Sequence, residues 1–265
     1  MYETSYHRAA SIDDAAAAMS GADDGKFLSG GQTLLPTMKQ RLAAPSDLID
    51  LTHVDGMVGI TVSGKDVTIG AATTHAEVAS SAELAAVCPC ISDLAGMIGD
   101  PAVRHRGTIG GSIANNDPAA DYPAALVALG ATVVTNKREI AADDFFTGMF
   151  ETALEEDEIV TAVKYNAPAS GSYQKFRNPA SRYAMAGVFV AKHADGVRVA
   201  VTGAGSDGVY RATDMEEALA GSMSADALDG CSVDEGNMLS DIHGSAAYRA
   251  NLVKVMAKRA VASMH

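Results

Sequence analysis

The sequence predicts a chain that mixes helices with strands in three consecutive blocks. Three observations carry this reading. Hydrophobic residues make up 48 % of the 265 positions and charged residues 20 %, enough apolar surface for a packed core. Short apolar runs bounded by turn residues alternate with stretches of helical periodicity. The cluster Ala167-Pro168-Ala169-Ser170-Gly171 reads as a linker before the last block.

The first block covers residues 1–55. Ser11 is placed to cap a helix through Ala15–Met19, with Asp13 and Asp14 in its first turn. Lys26–Ser29 reads as a buried strand, Gly30-Gly31-Gln32 as a turn, and Thr33–Gln40 as a helix that tolerates Pro36 in its first turn. Asp47–Leu51 reads as a second strand. In the second block, residues 56–166, Val58–Val62 and Val67–Gly70 flank Ser63-Gly64-Lys65-Asp66 as a hairpin. Helices follow at Ala76–Ser80, Glu83–Val87, Ile91–Ile98 and Pro123–Leu129, with a glycine-rich loop at Gly107–Ser112. Strands are expected at Ala131–Thr135 and Glu158–Tyr165. The third block, residues 170–265, has a hairpin of Ala186–Lys192 and Val197–Thr202, a helix at Met215–Ala220 capped by Thr213, and a long helix at Ser245–Ala262. Leu252, Val253, Met256 and Ala260 mark one stripe of that last helix.

Charge and composition narrow the function classes. Twenty basic against 33 acidic side chains give a net charge of −13, which disfavours nucleic acid as a partner. No apolar run approaches the roughly 20 residues that span a bilayer. The opening MYETSYHR followed by Asp13 and Asp14 is not a secretory signal, so a cytoplasmic location is expected. Cys88, Cys90 and Cys231 are too few for an iron–sulfur cluster of four thiolates, and the Cys88-Pro89-Cys90 spacing does not match a C-x-x-C site. The seven histidines are scattered singly, so no metal site is expected and no catalytic acid–base or nucleophile set is read from the chain.

Two segments carry the chemistry. A strand, a glycine turn and a helix together point backbone amides into a concavity that suits an anion. Phe27–Lys39 fits, with Gly30 and Gly31 allowing close approach and Gln32 and Thr33 adding donors. Gly107–Ser112 is a second such segment, whose Gly107, Gly110 and Gly111 permit positive φ and whose Thr108 and Ser112 bring hydroxyls. Two loops closing on a pyrophosphate make physical sense where one alone is weak. Neither is a P-loop, since no Gly-Lys-Ser/Thr follows. The literal G-x-G-x-x-G at Gly203–Gly208 follows a hairpin strand, not a βαβ unit, and is read as structural.

Phe27-Leu28-Ser29-Gly30-Gly31-Gln32-Thr33-Leu34-Leu35-Pro36 resembles the first flavin loop of the molybdenum hydroxylase flavoproteins, with Ser29 and Thr33 in place of the usual Ala and Ser. Gly107–Ser112, continuing to Pro123, resembles their second. Asp144–Thr152 and Asp241–Arg249 extend the resemblance over nearly the whole chain. It implies an α+β fold of the PCMH type, in which two subdomains hold FAD, followed by a C-terminal α/β domain like that of the carbon monoxide dehydrogenase flavoproteins.

By the same resemblance, Leu28, Ser29, Gly30, Gly31, Gln32, Thr33 and Leu34 would wrap the pyrophosphate and ribityl chain together with Thr108, Ile109, Gly110, Gly111 and Ser112, through backbone amides. Asp121 matches an acidic position that hydrogen-bonds the ribityl region, and equally suits a helix N-cap before Pro123. Ile98 would line the adenine or ribose side, or simply be core. Arg177 falls where relatives often carry a Lys near the flavin, or is an exposed strand charge. Tyr183 resembles the tyrosine that carbon monoxide dehydrogenase flavoproteins set against the isoalloxazine; its alternative is an ordinary strand residue. The implied activity is an FAD-dependent oxidoreductase subunit that takes electrons from a [2Fe–2S] small subunit fed by a molybdopterin large subunit, in a dimer of heterotrimers. A standalone flavin oxidoreductase of similar fold and a scaffold that has lost FAD remain as alternatives.

Overall fold

A computed structural model describes residues 1–265. The first sheet is small and parallel. Strands β1 (Ser5–Arg8), β2 (Gly25–Leu28) and β3 (Asp47–Asp50) lie in the order β1-β3-β2, joined by helices α1 (Ile12–Gly21) and α2 (Leu34–Lys39). Ser11 caps α1, accepting from the Asp14 amide at 3.1 Å.

The second sheet is five-stranded and antiparallel. It holds β4 (Ile60–Ser63), β5 (Asp66–Gly70), β6 (Thr132–Thr135), β7 (Glu139–Ala141) and, between β5 and β6, β10 (Val160–Asn166). Between β5 and β6 the chain builds six helices: α3 (His75–Ser80), α4 (Ala82–Val87), α5 (Pro89–Gly96), α6 (Pro101–Arg104), α7 (Ile109–Asn115) and α8 (Tyr122–Ala128). A short helix α9 (Ala142–Phe145) leads into a two-stranded ribbon, β8 (Phe146–Gly148) and β9 (Glu151–Thr152).

The third sheet runs in chain order: β11 (Ser170–Arg177), β12 (Ala184–Lys192), β13 (Val197–Thr202) and β14 (Tyr210–Arg211). Helices α10 (Thr213–Gly221) and α11 (Ala246–Ala262) complete the block. Eight of the nine residues of β12 are buried because it is covered on both faces. Ala186, Val188 and Val190 pack with Val253 and Met256 of α11, while Phe189 and Ala191 join the core of the preceding blocks. The period of two along a strand sends alternate side chains into two different cores. No helix is long and apolar enough to cross a membrane.

Several expected details differ. Gly107–Ser112 is not a free loop, since α7 starts at Ile109 with Thr108 as its N-cap. Ala167–Gly171 is no free linker: the amides of Ala167 and Ala169 donate to the Lys65 and Lys192 carbonyls, and β11 begins at Ser170. Thr213 is the first residue of α10, whose N-cap position, Ala212, has no side chain able to cap. Val58 lies outside the hairpin and is half exposed. The Gly203–Gly208 turn leads into β14, an antiparallel neighbour, and not into a helix.

Candidate functional site

The link between β2 and α2 and the N-terminus of α7 meet backbone to backbone. A Cβ at Gly30 would strike the Arg106 carbonyl oxygen and come within 2.7 Å of the Gly107 Cα. A Cβ at Gly110 would meet the buried Ala71, its Cβ at 2.6 Å and its oxygen at 2.7 Å. Of the five glycines in the two segments only Gly31 has a positive φ, +70°. Sequence reasoning assigned Gly107, Gly110 and Gly111 backbone freedom; what they supply, like Gly30, is close approach. Ser29 Oγ and Thr108 Oγ1 complete the junction at 2.8 Å.

These segments wall a cavity of about 420 Å³. The amides of Ser29 through Leu34 find no acceptor within the protein. In the second segment every amide but that of Thr108 is already occupied. Ile109 donates to Thr73 O at 3.1 Å, Gly110 to Ala71 O at 2.8 Å, Gly111 to Thr108 Oγ1 at 3.1 Å and Ser112 to Thr108 O at 3.0 Å. The first segment thus leaves a run of amides without a protein acceptor, while the second leaves only the Thr108 amide, beside the hydroxyls of Thr108 and Ser112 and a glycine surface at Gly111.

Leu28, Ser29, Gly30, Gly31, Gln32, Thr33, Leu34, Ile98, Thr108, Gly110, Gly111, Ser112, Asp121 and Tyr183 all line this cavity. Two expected residues do not. Ile109 is fully buried in the core, the first inward position of α7. Arg177 is exposed at the end of β11, outside the cavity. The cation that reaches Asp121 behind the cavity wall is Lys175, two residues earlier on the same face of the strand. Its Nζ lies 2.9 Å from both oxygens of Asp121, and its side chain is 1 % exposed.

Asp121 sits at the N-cap position of α8, but its carboxylate makes no cap hydrogen bond. It accepts from Tyr173 Oη and Lys175 Nζ instead. Burial pushes its pKa up, and the charge of Lys175 opposes that shift. Tyr183 projects from the β11–β12 turn, where Arg182 has φ +65° and the Asn178 amide donates to the Tyr183 carbonyl at 2.8 Å. Its side chain is half exposed, and its phenol pKa is raised by burial and by Asp117 and Asp121.

Among the lining residues that sequence reasoning passed over, His75, Asn115 and Asp117 bring polar groups. His75 opens α3 and is 5 % exposed; burial and the charge of Arg104 lower its pKa to about 4, so the ring is neutral. Its Nδ1 is buried without a partner. Asn115, at the end of α7, makes no side-chain hydrogen bond and follows Ser112 by one helical turn. That spacing is visible once 109–115 is read as helix. Asp117 lies in the following turn, its Oδ1 accepting from the Ala119 amide at 2.8 Å.

Comparisons with known proteins assign the chain a family. Residues 2–165 match the FAD binding domain in molybdopterin dehydrogenase, and residues 172–264 match the CO dehydrogenase flavoprotein C-terminal domain. The chain belongs to the FAD-binding subunits of the molybdenum hydroxylase family. This flavoprotein is 37 % identical to the nicotine 6-hydroxylase medium subunit of Paenarthrobacter nicotinovorans, over 97 % of its own length and 95 % of the relative's. It is 36 % identical to the carbon monoxide dehydrogenase medium chain of Afipia carboxidovorans, over 97 % and 94 %. Its fold superposes on a chain of the cyanide-inactivated Cu,Mo-CO dehydrogenase with a TM-score of 0.90 at 35 % identity, covering 99 % of this chain and 98 % of that one. The flavoprotein is an oxidoreductase subunit whose cofactor is FAD.

The cavity residues fit that cofactor. A pyrophosphate requires several donors, and the free amides of Ser29–Leu34 would supply them beside the Thr33 and Thr108 hydroxyls. Thr33 stands at the N-cap position of α2 without a cap bond, which leaves its hydroxyl available.

Proposed function

We propose that the flavoprotein holds FAD in the cavity between the β2–α2 link and α7, and relays electrons from an iron–sulfur partner to a terminal acceptor. The run of free amides from Ser29 to Leu34, facing a cavity closed by the Ser29–Thr108 contact, carries the assignment of the site. In this reading those amides take the pyrophosphate. Thr108, Ser112 and Asp121 bind along the sugar chain, Ile98 lies on the adenine or ribose side, and Tyr183 covers the isoalloxazine at the open rim. When bound, FAD supplies the two-electron chemistry. The residues of this chain bind it, orient it and limit access to it.

The two named relatives are subunits of enzymes named for carbon monoxide and for nicotine, yet both align with this chain over nearly their full lengths. Substrate choice therefore belongs to a partner, which in this reading is a molybdopterin large subunit. A [2Fe–2S] small subunit stands between the two, the assembly is a dimer of heterotrimers, and the complex is cytoplasmic.

Anaerobic reduction tests this. Without partners, the flavin should be bleached by dithionite and not by small alcohols or aldehydes. Rapid bleaching of the isolated flavoprotein by such a substrate would favour a standalone oxidoreductase.

A further inference from the structure

We infer that Lys175 is a positioning residue for FAD: it supplies the counter-charge that lets Asp121 face the cavity as a carboxylate, without itself lining the cavity. The inference rests on the reading that FAD occupies this cavity.

Asp121 lines the cavity and Lys175 does not. The two meet across 54 positions of sequence, Nζ 2.9 Å from each carboxylate oxygen, with the side chains 1 % and 5 % exposed. Tyr173, on the same face of β11, donates its hydroxyl to Oδ1. The groups facing the carboxylate are Tyr173, Lys175 and the more distant Arg177 from β11, and Tyr122 beside it on α8; Asp117 and Tyr183 share the cavity wall with it. Lys175 is the one cation among them in direct contact.

A buried carboxylate without a counter-charge takes up a proton. Protonated Asp121 would turn from a charged acceptor into a neutral group beside the sugar chain. Hydrogen bonds to charged groups are the stronger kind, so FAD should bind about tenfold more weakly when that charge is lost. Because the unpaired carboxyl's pKa would be raised, affinity should be low below it and recover as pH rises through it.

The test follows FAD release from the purified flavoprotein by fluorescence, from mildly acid to mildly alkaline pH. Lys175→Met should release FAD about tenfold more readily at neutral pH and approach wild type at alkaline pH. Lys175→Arg should retain the wild-type profile, and Asp121→Asn should be weak at every pH. Should Lys175→Met fail to fold, Lys175→Gln, which keeps a donor without the charge, carries the same expectation. A Lys175 variant whose profile runs parallel to wild type would overturn the inference and leave Lys175 as structural glue. Wild-type protein that carries no FAD would instead overturn the reading of the cavity itself, and the inference with it.

Discussion

Ser29 Oγ and Thr108 Oγ1 lie 2.8 Å apart, joining segments separated by 79 positions in the wall of the cavity. Thr108 has a second task, since its hydroxyl also accepts from the Gly111 amide and caps α7. The two residues should therefore respond differently to loss of the hydroxyl. Ser29→Ala should lower FAD retention with little change in melting temperature. Thr108→Val should lower both, with about 1 kcal/mol of stability lost with the cap. A double-mutant cycle on FAD affinity should show coupling, and strictly additive effects would mean that the contact does not organise the site.

Gly30 and Gly110 are fold glycines, because what a side chain would strike is protein backbone or buried core. Gly110→Val should destabilise the chain by at least about 1–3 kcal/mol, the usual penalty for overpacking. Denaturant unfolding would show this as a lower midpoint. An unchanged midpoint would place Gly110 farther from Ala71 than the structure does.

Tyr183 is half exposed on a turn. Tyr183→Ala should change stability far less than the roughly 3–5 kcal/mol lost with a core aromatic. It should alter the visible spectrum of bound flavin and its rate of reoxidation, since aromatic contact with the ring would contribute about 0.5–1.5 kcal/mol. A large fall in melting temperature with an unchanged flavin spectrum would make Tyr183 a packing residue.

His75 gives the fold an acid-sensitive point. Its folded pKa of about 4 lies below the ordinary 6.5, so the unfolded chain binds a proton that the folded chain refuses between those values. Stability is fully present above the ordinary value and is lost as pH falls through the window, by roughly 3 kcal/mol in all. His75→Gln should remove that part of the acid slope in urea unfolding measured at several pH values. Glu158 acts in a lower window, because Arg138 and the Glu155 amide hold its pKa down to about 2. A variant with the wild-type slope above about pH 4 would show that His75 titrates normally.

Much of the fold was legible, because the glycine turns, the hairpins and the stripe on α11 are local patterns. What escaped is non-local or unpatterned. Strand β1 is exposed at all four residues and has no alternation; its pairing with β3 joins residues 42 positions apart, as in Ser5 with Asp47. Strand β11 starts in a Pro- and Ser-containing stretch that reads as linker, and with it went Lys175, whose meaning depends on a partner 54 positions away. At the site, the sequence shows that Gly107–Ser112 is rich in glycine. It does not show that Thr73 and Ala71 carbonyls already occupy the amides of Ile109 and Gly110.

Gly31 offers the most direct measurement. Its φ of +70° is strained for any other residue and worst for a β-branched one, while an added Cβ meets chiefly the movable end of Leu35. Gly31→Val should leave the chain folded, by circular dichroism and a cooperative melt, and disturb the run of free amides at its centre. FAD per folded chain, from the flavin absorbance of the purified protein, should be near one for wild type and near zero for Gly31→Val. A folded variant that retains a full complement of FAD would contradict the placement of the cofactor in this cavity.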